Sequence, residues 1–211
     1  GKSGIDFITN FDCKNFATKI AGEIKNFNPT EHGIDAKEAK RMDRYSQYAN
    51  AAADEALIDS GLDLSSLDPV RVGVALGVGW GGIMTFEAEH EKILEKGPKR
   101  ISPFMIPMMI ANLGAGNISI KYGLKGPQFS PVAACASGTY GIIDGFRAIK
   151  DGIADVMVAG GAEAAVSALC VGGFNSMKVL STANHEPTKA SRPFDKDRTG
   201  FVPGEGAGIL I

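Results

Sequence analysis

The chain has 211 residues, of which 44% are hydrophobic and 22% charged, and its formal net charge is −2 at pH 7. This composition is ordinary for a globular protein with a sizeable core, and the small net charge gives no general basis for binding nucleic acid or an anionic membrane. No apolar run approaches the roughly 18 residues of a membrane span, and no signal-peptide pattern is present. The three cysteines form no CxxC pair and no even set, which indicates a reducing, cytoplasmic compartment.

The two ends of the chain suggest that it is part of something larger. It begins at Gly1 rather than at a methionine, and it stops inside the apolar, strand-like run 207–211. We therefore expect a piece of a longer protein.

The first half of the chain predicts helices around one buried strand. Apolar and alanine positions at helical spacing predict a helix from Tyr45 that ends at Gly61. Residues 71–79, RVGVALGVG, are typical of a buried strand that leads into a glycine turn. Residues 83–97 predict a helix. Residues 101–123 begin with two prolines, and the rest of this segment predicts a helix.

The centre of the chain predicts a strand, a helix and a second strand. Residues 127–134 and 154–164 have strand character, and the segment after Cys135 is helical. The helix carries an apolar stripe at Ile142, Ile143, Phe146 and Ile149, and Asp151-Gly152 ends it. This order indicates a parallel crossover unit in an α/β fold.

Cys135 lies where the predicted strand turns into the predicted helix. A buried cysteine is usually a small hydrophobic residue, and that interpretation stays open for Cys135. However, a helix N-terminus favours thiolate over thiol, and the small residues around Cys135 leave room for a substrate and let backbone N–H groups stabilise an oxyanion. Cys13 and Cys170 lack this setting and are predicted to be structural.

A nucleophilic cysteine normally needs a base or an electrostatic partner. The three histidines, His32, His90 and His185, lie in polar or charged stretches, and we expect each of them to be a solvated surface residue. The partner is therefore missing from this chain.

Residues 77–82, GVGWGG, match the glycine pattern of a dinucleotide-binding turn between a strand and a helix. The acidic residue expected about 20 positions later is absent, and the bulky Trp80 suits no loop that packs against a pyrophosphate. Nucleotide binding is therefore disfavoured.

Four stretches resemble one family in their order and spacing: GPQFSPVAACASG, ADVMVAGGAEA, VGGFNSMKVLS and ASRPFDKDRTGFVPGEGAGILI. They are similar to the β-ketoacyl-acyl-carrier-protein synthases, and most similar to the synthase II group of bacterial type II fatty acid synthesis. The resemblance covers essentially all of residues 1–211 and implies an N-terminal ketoacyl-synthase domain. The first strand and the C-terminal half would be absent. It also implies an α/β, thiolase-like fold with layers α-β-α-β-α, working as a homodimer without a cofactor or metal.

The resemblance implies a role for Cys135 as the acyl-accepting nucleophile. Its thiolate would take an acyl chain from acyl carrier protein, and the carbanion from decarboxylated malonyl-acyl carrier protein would then attack the thioester. Two histidines and a lysine that support this chemistry belong to the absent half, so the chain alone is expected to be inactive.

Other positions follow from the same resemblance. Lys37, Lys40 and Arg41 match a basic patch for the acidic carrier protein, and Lys99 and Arg100 are weaker candidates. The acyl pocket is matched by five residues: Trp80, Met105, Ile110, Ala165 and Phe174. Met105 and Ile110 would reach the pocket across the dimer interface.

Trp80 departs from the family pattern, which has a smaller aliphatic residue there. The larger indole of Trp80 could block the acyl channel and restrict the enzyme to short primers, since overpacking costs about 1–3 kcal/mol. The alternative is a rotamer that moves the indole aside.

Four other functions remain as alternatives. They are a polyketide-type ketosynthase, a silent partner like a chain-length factor, a binding module built on GVGWGG, and a cysteine hydrolase. Chain-length factors lack the cysteine, so Cys135 argues against that alternative. A hydrolase would release free acid instead of a β-keto product.

Overall fold

The computed structural model describes residues 1–211, which divide into two compact units. Unit 1 comprises Gly1–Phe27 and Ala164–Glu205, and unit 2 comprises Asn28–Glu163 and Gly206–Ile211. In chain order the strands are β1 (Asp6–Phe7), β2 (Ile20–Ala21), β3 (Val72–Gly77), β4 (Gln128–Phe129), β5 (Val156–Glu163) and β6 (Gly206–Leu210). The helices are α1 (Ala36–Ala39), α2 (Arg44–Ser60), α3 (Ile83–Lys96), α4 (Met105–Met109), α5 (Leu113–Tyr122), α6 (Ser137–Lys150), α7 (Ala168–Ser176) and α8 (Pro187–Ala190).

Unit 2 is built on a four-stranded sheet in the order β4-β3-β5-β6. Strand β3 is fully buried and pairs in parallel with both β4 and β5, whereas β6 runs antiparallel to β5. The predicted strand–helix–strand unit is therefore confirmed, with β3 lying between its two strands. The apolar run of β3 is what a strand covered on both faces requires.

Alternate residues of β3 face different helices, as the period of a strand dictates. On one face, a Cβ at Gly114 of α5 would meet Leu76 at 2.7 Å and the Tyr45 ring of α2 at 2.8 Å. On the other face, Gly77 is so close to α6 that a Cβ would lie 1.8 Å from the Ser137 carbonyl oxygen. Unit 2 is thus a sheet with α2 and α5 on one side and α6 on the other.

The face of α6 that packs on the sheet differs from the one expected from its apolar stripe. The buried positions are Ser137, Gly141, Gly145 and Ala148. Ile142, Phe146 and Ile149 are instead exposed by 41%, 66% and 47%. Small residues allow the helix backbone to approach the strands closely, so the larger stripe points away from the sheet.

Helix α2 begins and ends as predicted. Asp43 caps its N-terminus by accepting the Tyr45 N–H, and Gly61 ends it in the left-handed conformation with φ 66°. The buried Asp43 carboxylate also accepts the Thr85 N–H at 2.8 Å and the Thr85 hydroxyl at 2.6 Å, which ties α2 to α3. Burial raises the pKa of Asp43, while the hydrogen bonds from Thr85 act in the opposite direction.

Two predicted elements differ in extent. The predicted helical segment within 101–123 forms two helices, α4 and α5, rather than one. The predicted strand 127–134 is limited to Gln128–Phe129, because Pro131 has no N–H to donate and Ala134 adopts a left-handed φ of 49°. The chain between β4 and α6 is therefore a loop.

Unit 1 holds the short antiparallel pair β1-β2 with helices α7 and α8. Its apolar core consists of Ile8, Ala21, Val166, Val171 and Leu180, and Cys13 packs against it. Cys170 is buried in α7, which agrees with the structural role predicted for both cysteines. No helix of the chain combines the length and the apolar character needed to cross a membrane.

Candidate active site

Cys135 occupies the loop that joins β4 to α6, two residues before the helix begins. Its thiol is free and the residue is exposed, so the interpretation as a buried core cysteine is wrong for this structure. The preceding residue, Ala134, has a φ of 49°, a left-handed conformation that residues other than glycine rarely adopt. Backbone strain of this kind is common at functional sites, where the surroundings hold it in place.

The hydroxyl of Ser137 holds this strained loop. It accepts the Ala133 N–H at 2.9 Å and donates to the Ala134 carbonyl oxygen at 2.7 Å, while the Ala136 N–H donates to the Ala133 carbonyl oxygen at 3.0 Å. Ser137 is 3% exposed, so water competes little for these bonds. The loop therefore presents Cys135 on a fixed turn.

The position of Cys135 at the start of α6 gives it an electrostatic setting suited to a nucleophile. The helix is 14 residues long, and its unpaired N–H groups carry partial positive charge at that end. The close packing of Gly77 on Ser137 fixes the helix start against the sheet. An exposed thiol with backbone N–H groups beside it can attack a carbonyl and stabilise the resulting oxyanion.

The two histidines of unit 2 lie against other side chains. His90 stacks on Phe86 of α3, and His32 lies 3.7 Å from the Glu55 carboxylate. His185 is exposed in unit 1. No group of three or more His, Cys, Asp or Glu side chains is arranged to hold a metal ion.

Three of the predicted pocket residues lie in unit 2 around the loop 78–82, which we call the Trp80 loop. The Gly82 N–H donates to the Met109 carbonyl oxygen at 2.9 Å, which joins this loop to α4, the helix that begins at Met105. Ile110 follows α4, and its carbonyl oxygen accepts the Tyr45 hydroxyl at 2.8 Å. The indole of Trp80 is 52% exposed.

The Trp80 loop also reaches the cysteine loop. A Cβ at Gly79 would lie 3.5 Å from the Ala134 carbonyl oxygen, so the two backbones are in contact one residue before Trp80 and one residue before Cys135. The residues immediately before Trp80 and Cys135 are therefore neighbours. Ile110 directly follows Met109, which accepts the Gly82 N–H at the other end of the loop, and Met105 begins the same helix.

Ala165 and Phe174, the other predicted pocket residues, belong to unit 1. Phe174 contacts the Phe201 ring edge to face, with centroids 5.2 Å apart, and packs against the core of unit 1. The same unit has a cavity of about 590 Å³ formed by the segment 191–201, where Phe194 is 98% exposed.

The predicted basic patch lies on the surface of unit 2. Lys37, Lys40 and Arg41 are all exposed along α1 and the turn that follows it. The guanidinium of Arg41 lies over the Phe104 ring, 4.6 Å from its centroid. Phe104 follows the exposed Lys99–Arg100 pair by four residues, so this contact brings the second basic segment toward the first.

Glu163, at the end of β5, was not anticipated as a site residue. One of its carboxylate oxygens accepts the N–H groups of Gly79 and Trp80, each at 2.9 Å. Two donors that a pyrophosphate would need in GVGWGG are therefore already engaged, which gives a structural reason against nucleotide binding. An acidic residue that closes the apolar strand VMVAGGAE was the available sequence signal.

Comparison with known proteins places these features in one family. The family model described as "Beta-ketoacyl synthase, N-terminal domain" matches residues 1–211. The chain is 47% identical over 211 residues to 3-oxoacyl-[acyl-carrier-protein] synthase 2 of Staphylococcus aureus, and 48% identical to that of Synechocystis sp.. All of this chain is covered in each case, against 52% and 50% of the relatives, so it spans about half their length.

Solved structures agree. A β-ketoacyl synthase from Burkholderia phymatum is 32% identical with a TM-score of 0.88, and the ishigamide ketosynthase/chain length factor is 31% identical with a TM-score of 0.89. Each match covers the whole of this chain, together with 52% of the Burkholderia synthase and 51% of the ishigamide protein. The fold is that of the N-terminal half of a thiolase-like ketosynthase. The chain belongs to the β-ketoacyl synthase family, whose N-terminal domain it represents.

Proposed function

We propose that this chain is the nucleophile-bearing part of a condensing enzyme, a 3-oxoacyl-acyl-carrier-protein synthase of type II fatty acid synthesis. The observation that carries the proposal is the exposed Cys135 on a fixed, strained turn at the start of α6. The 47% identity to synthase 2 of Staphylococcus aureus supports the substrate class.

In the first half-reaction the Cys135 thiolate attacks the thioester carbonyl of an acyl carrier protein. The carbonyl oxygen takes up the negative charge, and the N–H of Cys135 donates to that oxyanion. Collapse of the intermediate breaks the bond to the carrier sulfur, which leaves as a thiolate and takes up the proton that Cys135 released on forming its own thiolate, and a new thioester remains on Cys135. Rigid support by Ser137 keeps the sulfur in position for this attack.

In the second half-reaction a malonyl carrier protein loses CO₂, and its carbanion attacks the Cys135 thioester. The β-ketoacyl product leaves on the carrier protein and Cys135 is regenerated as thiolate. The residues that assist decarboxylation lie outside this chain, so residues 1–211 alone are expected to be inactive.

A C-terminal half would complete the domain. The exposed stripe of α6, Ile142, Phe146 and Ile149, is apolar surface that a helix normally buries. Phe194, 98% exposed, adopts a left-handed φ of 64° beside the cavity of unit 1. These surfaces support an incomplete domain that the second half of the polypeptide covers.

The carrier protein would dock on the basic patch formed by Lys37, Lys40 and Arg41. Its exposed cations suit an acidic partner. A solved structure similar to this chain, 28% identical with a TM-score of 0.81, is a type II polyketide acyl-carrier protein in complex with its ketosynthase.

A homodimer is the proposed assembly. Strand β4 lies at the edge of its sheet and pairs on one side with β3, so its other side can accept a strand from a second copy. The Gln128 side chain of β4 donates to the Asn112 carbonyl oxygen at 3.3 Å, two residues after Ile110. Met105 and Ile110 would complete the pocket of the partner.

The test uses the full-length protein that contains this chain. It is incubated with carrier proteins loaded with acyl groups of four to sixteen carbons, and intact masses are recorded. We expect a mass gain that Cys135→Ala abolishes and that the matched control Cys13→Ala retains. A gain that persists in Cys135→Ala, or no gain at any length, would refute the proposal.

The second candidate is a polyketide-type ketosynthase, favoured by the similarity to the ishigamide and type II polyketide structures. The two functions are separated by offering saturated acyl and poly-β-ketoacyl carrier proteins in competition. Preference for the saturated chain supports the fatty acid role. Blockage by Trp80 additionally predicts faster acylation with short chains than with long ones.

A further inference from the structure

The Trp80 loop is held at both ends by hydrogen bonds from its backbone. At one end Glu163 accepts the N–H groups of Gly79 and Trp80, each at 2.9 Å. At the other end the Gly82 N–H donates to the Met109 carbonyl oxygen at 2.9 Å. Hydrogen bonds to a carboxylate are stronger than those between neutral groups, so the Glu163 end is the stronger anchor.

The anchor is built into a tight space. A Cβ at Gly79 would lie 2.8 Å from the Glu163 carboxylate oxygen and 3.5 Å from the Ala134 carbonyl oxygen. The backbone at Gly79 is therefore enclosed between Glu163 and the residue that precedes Cys135. If the carboxylate moved, the backbone of Gly79 and Trp80 would lose its anchor. The indole of Trp80 could then move, and the contact between Gly79 and the cysteine loop could break.

We propose that Glu163 is a positioning residue that sets which acyl chains Cys135 accepts, by fixing the backbone on which Trp80 stands. This inference rests on the proposed acyl-transfer function. The indole is a large apolar side chain on a loop that contacts the cysteine loop, and in this proposal it is the group that an acyl chain on the thiol meets. A fixed backbone keeps the indole in place and limits chain length, whereas a released loop lets a longer chain displace it.

The first measurement is hydrogen exchange in the peptide that covers residues 77–82, followed by mass spectrometry on the full-length protein. Glu163→Ala removes the acceptor, and we expect exchange at least about tenfold faster, because amides released from hydrogen bonds open locally. Glu163→Asp shortens the side chain and shifts exchange in the same direction, which provides a second variant if Glu163→Ala fails to fold. Glu163→Gln keeps an acceptor and is the expected rescue.

The second measurement is the ratio of the Cys135 acylation rates with twelve-carbon and four-carbon acyl carrier proteins. We expect Glu163→Ala to raise this ratio by about threefold or more, because two charge-assisted hydrogen bonds no longer hold the loop. In a Trp80→Ala background the same substitution should leave the ratio unchanged, since Glu163 acts through the indole. Asp68→Ala is the matched control, because Asp68 accepts the Val70 N–H just before the other end of β3.

Each outcome separates the two proposals. Unchanged exchange in Glu163→Ala, an unchanged rate ratio, or an equal shift in the Trp80→Ala background would overturn the role of Glu163 while acyl transfer stands. If Cys135 of the wild-type protein is never acylated, the acyl-transfer function is overturned, and the specificity role of Glu163 with it. Faster exchange with a raised ratio that depends on Trp80 supports the role of Glu163.

Discussion

A methyl group added at Gly141 should separate α6 from the sheet and destabilise unit 2. The Cβ of Gly141→Ala would lie 2.3 Å from the Gly160 carbonyl oxygen and 2.9 Å from both the Ala75 carbonyl oxygen and the Gly77 nitrogen. Ordinary contact begins at 3.4 Å, and all three atoms are backbone, so the helix has to retreat by about 1 Å.

Two opposing effects decide the magnitude. Alanine is favoured over glycine inside a helix by about 1 kcal/mol. Overpacking against atoms that cannot rotate away costs about 3 kcal/mol, the upper end of the usual range. The net expectation for Gly141→Ala is a loss of about 2 kcal/mol in the free energy of unfolding. Because α6 carries the turn that presents Cys135, acylation should also slow.

Urea unfolding followed by circular dichroism measures the first effect, and the time course of intact mass measures the second. Gly173→Ala is the matched control, since this glycine also lies inside a helix but a Cβ there would meet nothing within 4 Å. We expect it to be neutral or to stabilise by up to about 1 kcal/mol. Equal or greater stability of Gly141→Ala would refute the argument from close packing.

Three further predictions concern Ser137, Arg41 and Asp43. Ser137→Ala removes the hydroxyl that holds the loop before Cys135, so we expect the free energy of unfolding to fall by about 1–3 kcal/mol and Cys135 acylation to slow. Urea unfolding and the time course of intact mass check these two effects, and unchanged values would contradict the role of the hydroxyl. Arg41→Ala should weaken carrier-protein binding by up to about fivefold at low salt and less at high salt, measured by titration calorimetry. Arg41→Lys should keep only part of the carrier-protein affinity, because lysine retains the charge but lacks the planar group that stacks on Phe104. For Asp43, burial raises the folded-state pKa above the unfolded one, so its contribution to stability is fully present at pH below the unfolded value and is lost as the pH rises through the folded-state pKa. A carbon NMR titration midpoint for Asp43 below about 3.9 would contradict this.

The elements around β3 were predictable because their signals are local. The apolar run of β3 and the left-handed stop at Gly61 each depend on a few neighbouring residues. The location of Cys135 just before a helix was likewise predictable from neighbouring residues, whereas its catalytic role stays a prediction. The roles proposed for the basic patch and for the acyl-pocket residues came from the family resemblance, because the chemistry of a single side chain does not indicate them.

The orientation of α6 was not predictable from its periodicity. A helical stripe of isoleucine and phenylalanine normally faces the core, but the glycines at positions 141 and 145 allow a closer approach on the opposite face. Backbone proximity of this kind depends on the paired strand and carries no hydrophobic signature. The helical spacing of Gly141 and Gly145 was the available signal, and a search for apolar periodicity alone overlooks it.

The anchor of the Trp80 loop was unpredictable for a different reason. Glu163 lies more than eighty positions from the loop that it holds, and it reaches that loop only because β3 and β5 pair in register up to Gly77 and Gly161. From the sequence, nucleotide binding was disfavoured through the bulk of Trp80. The occupied N–H groups are an additional cause that only the fold reveals.

The interleaved order of the two units has a consequence for synthesis on the ribosome. Gly1–Phe27 emerges before residues 28–163, yet the rest of unit 1 begins only at Ala164. At about 5–20 residues per second, Ile8 and Ala21 wait on the order of ten seconds for Val166, Val171 and Leu180. During that interval the nascent N-terminal segment displays apolar side chains without their partners, so chaperone capture at this stage should govern the yield of folded protein.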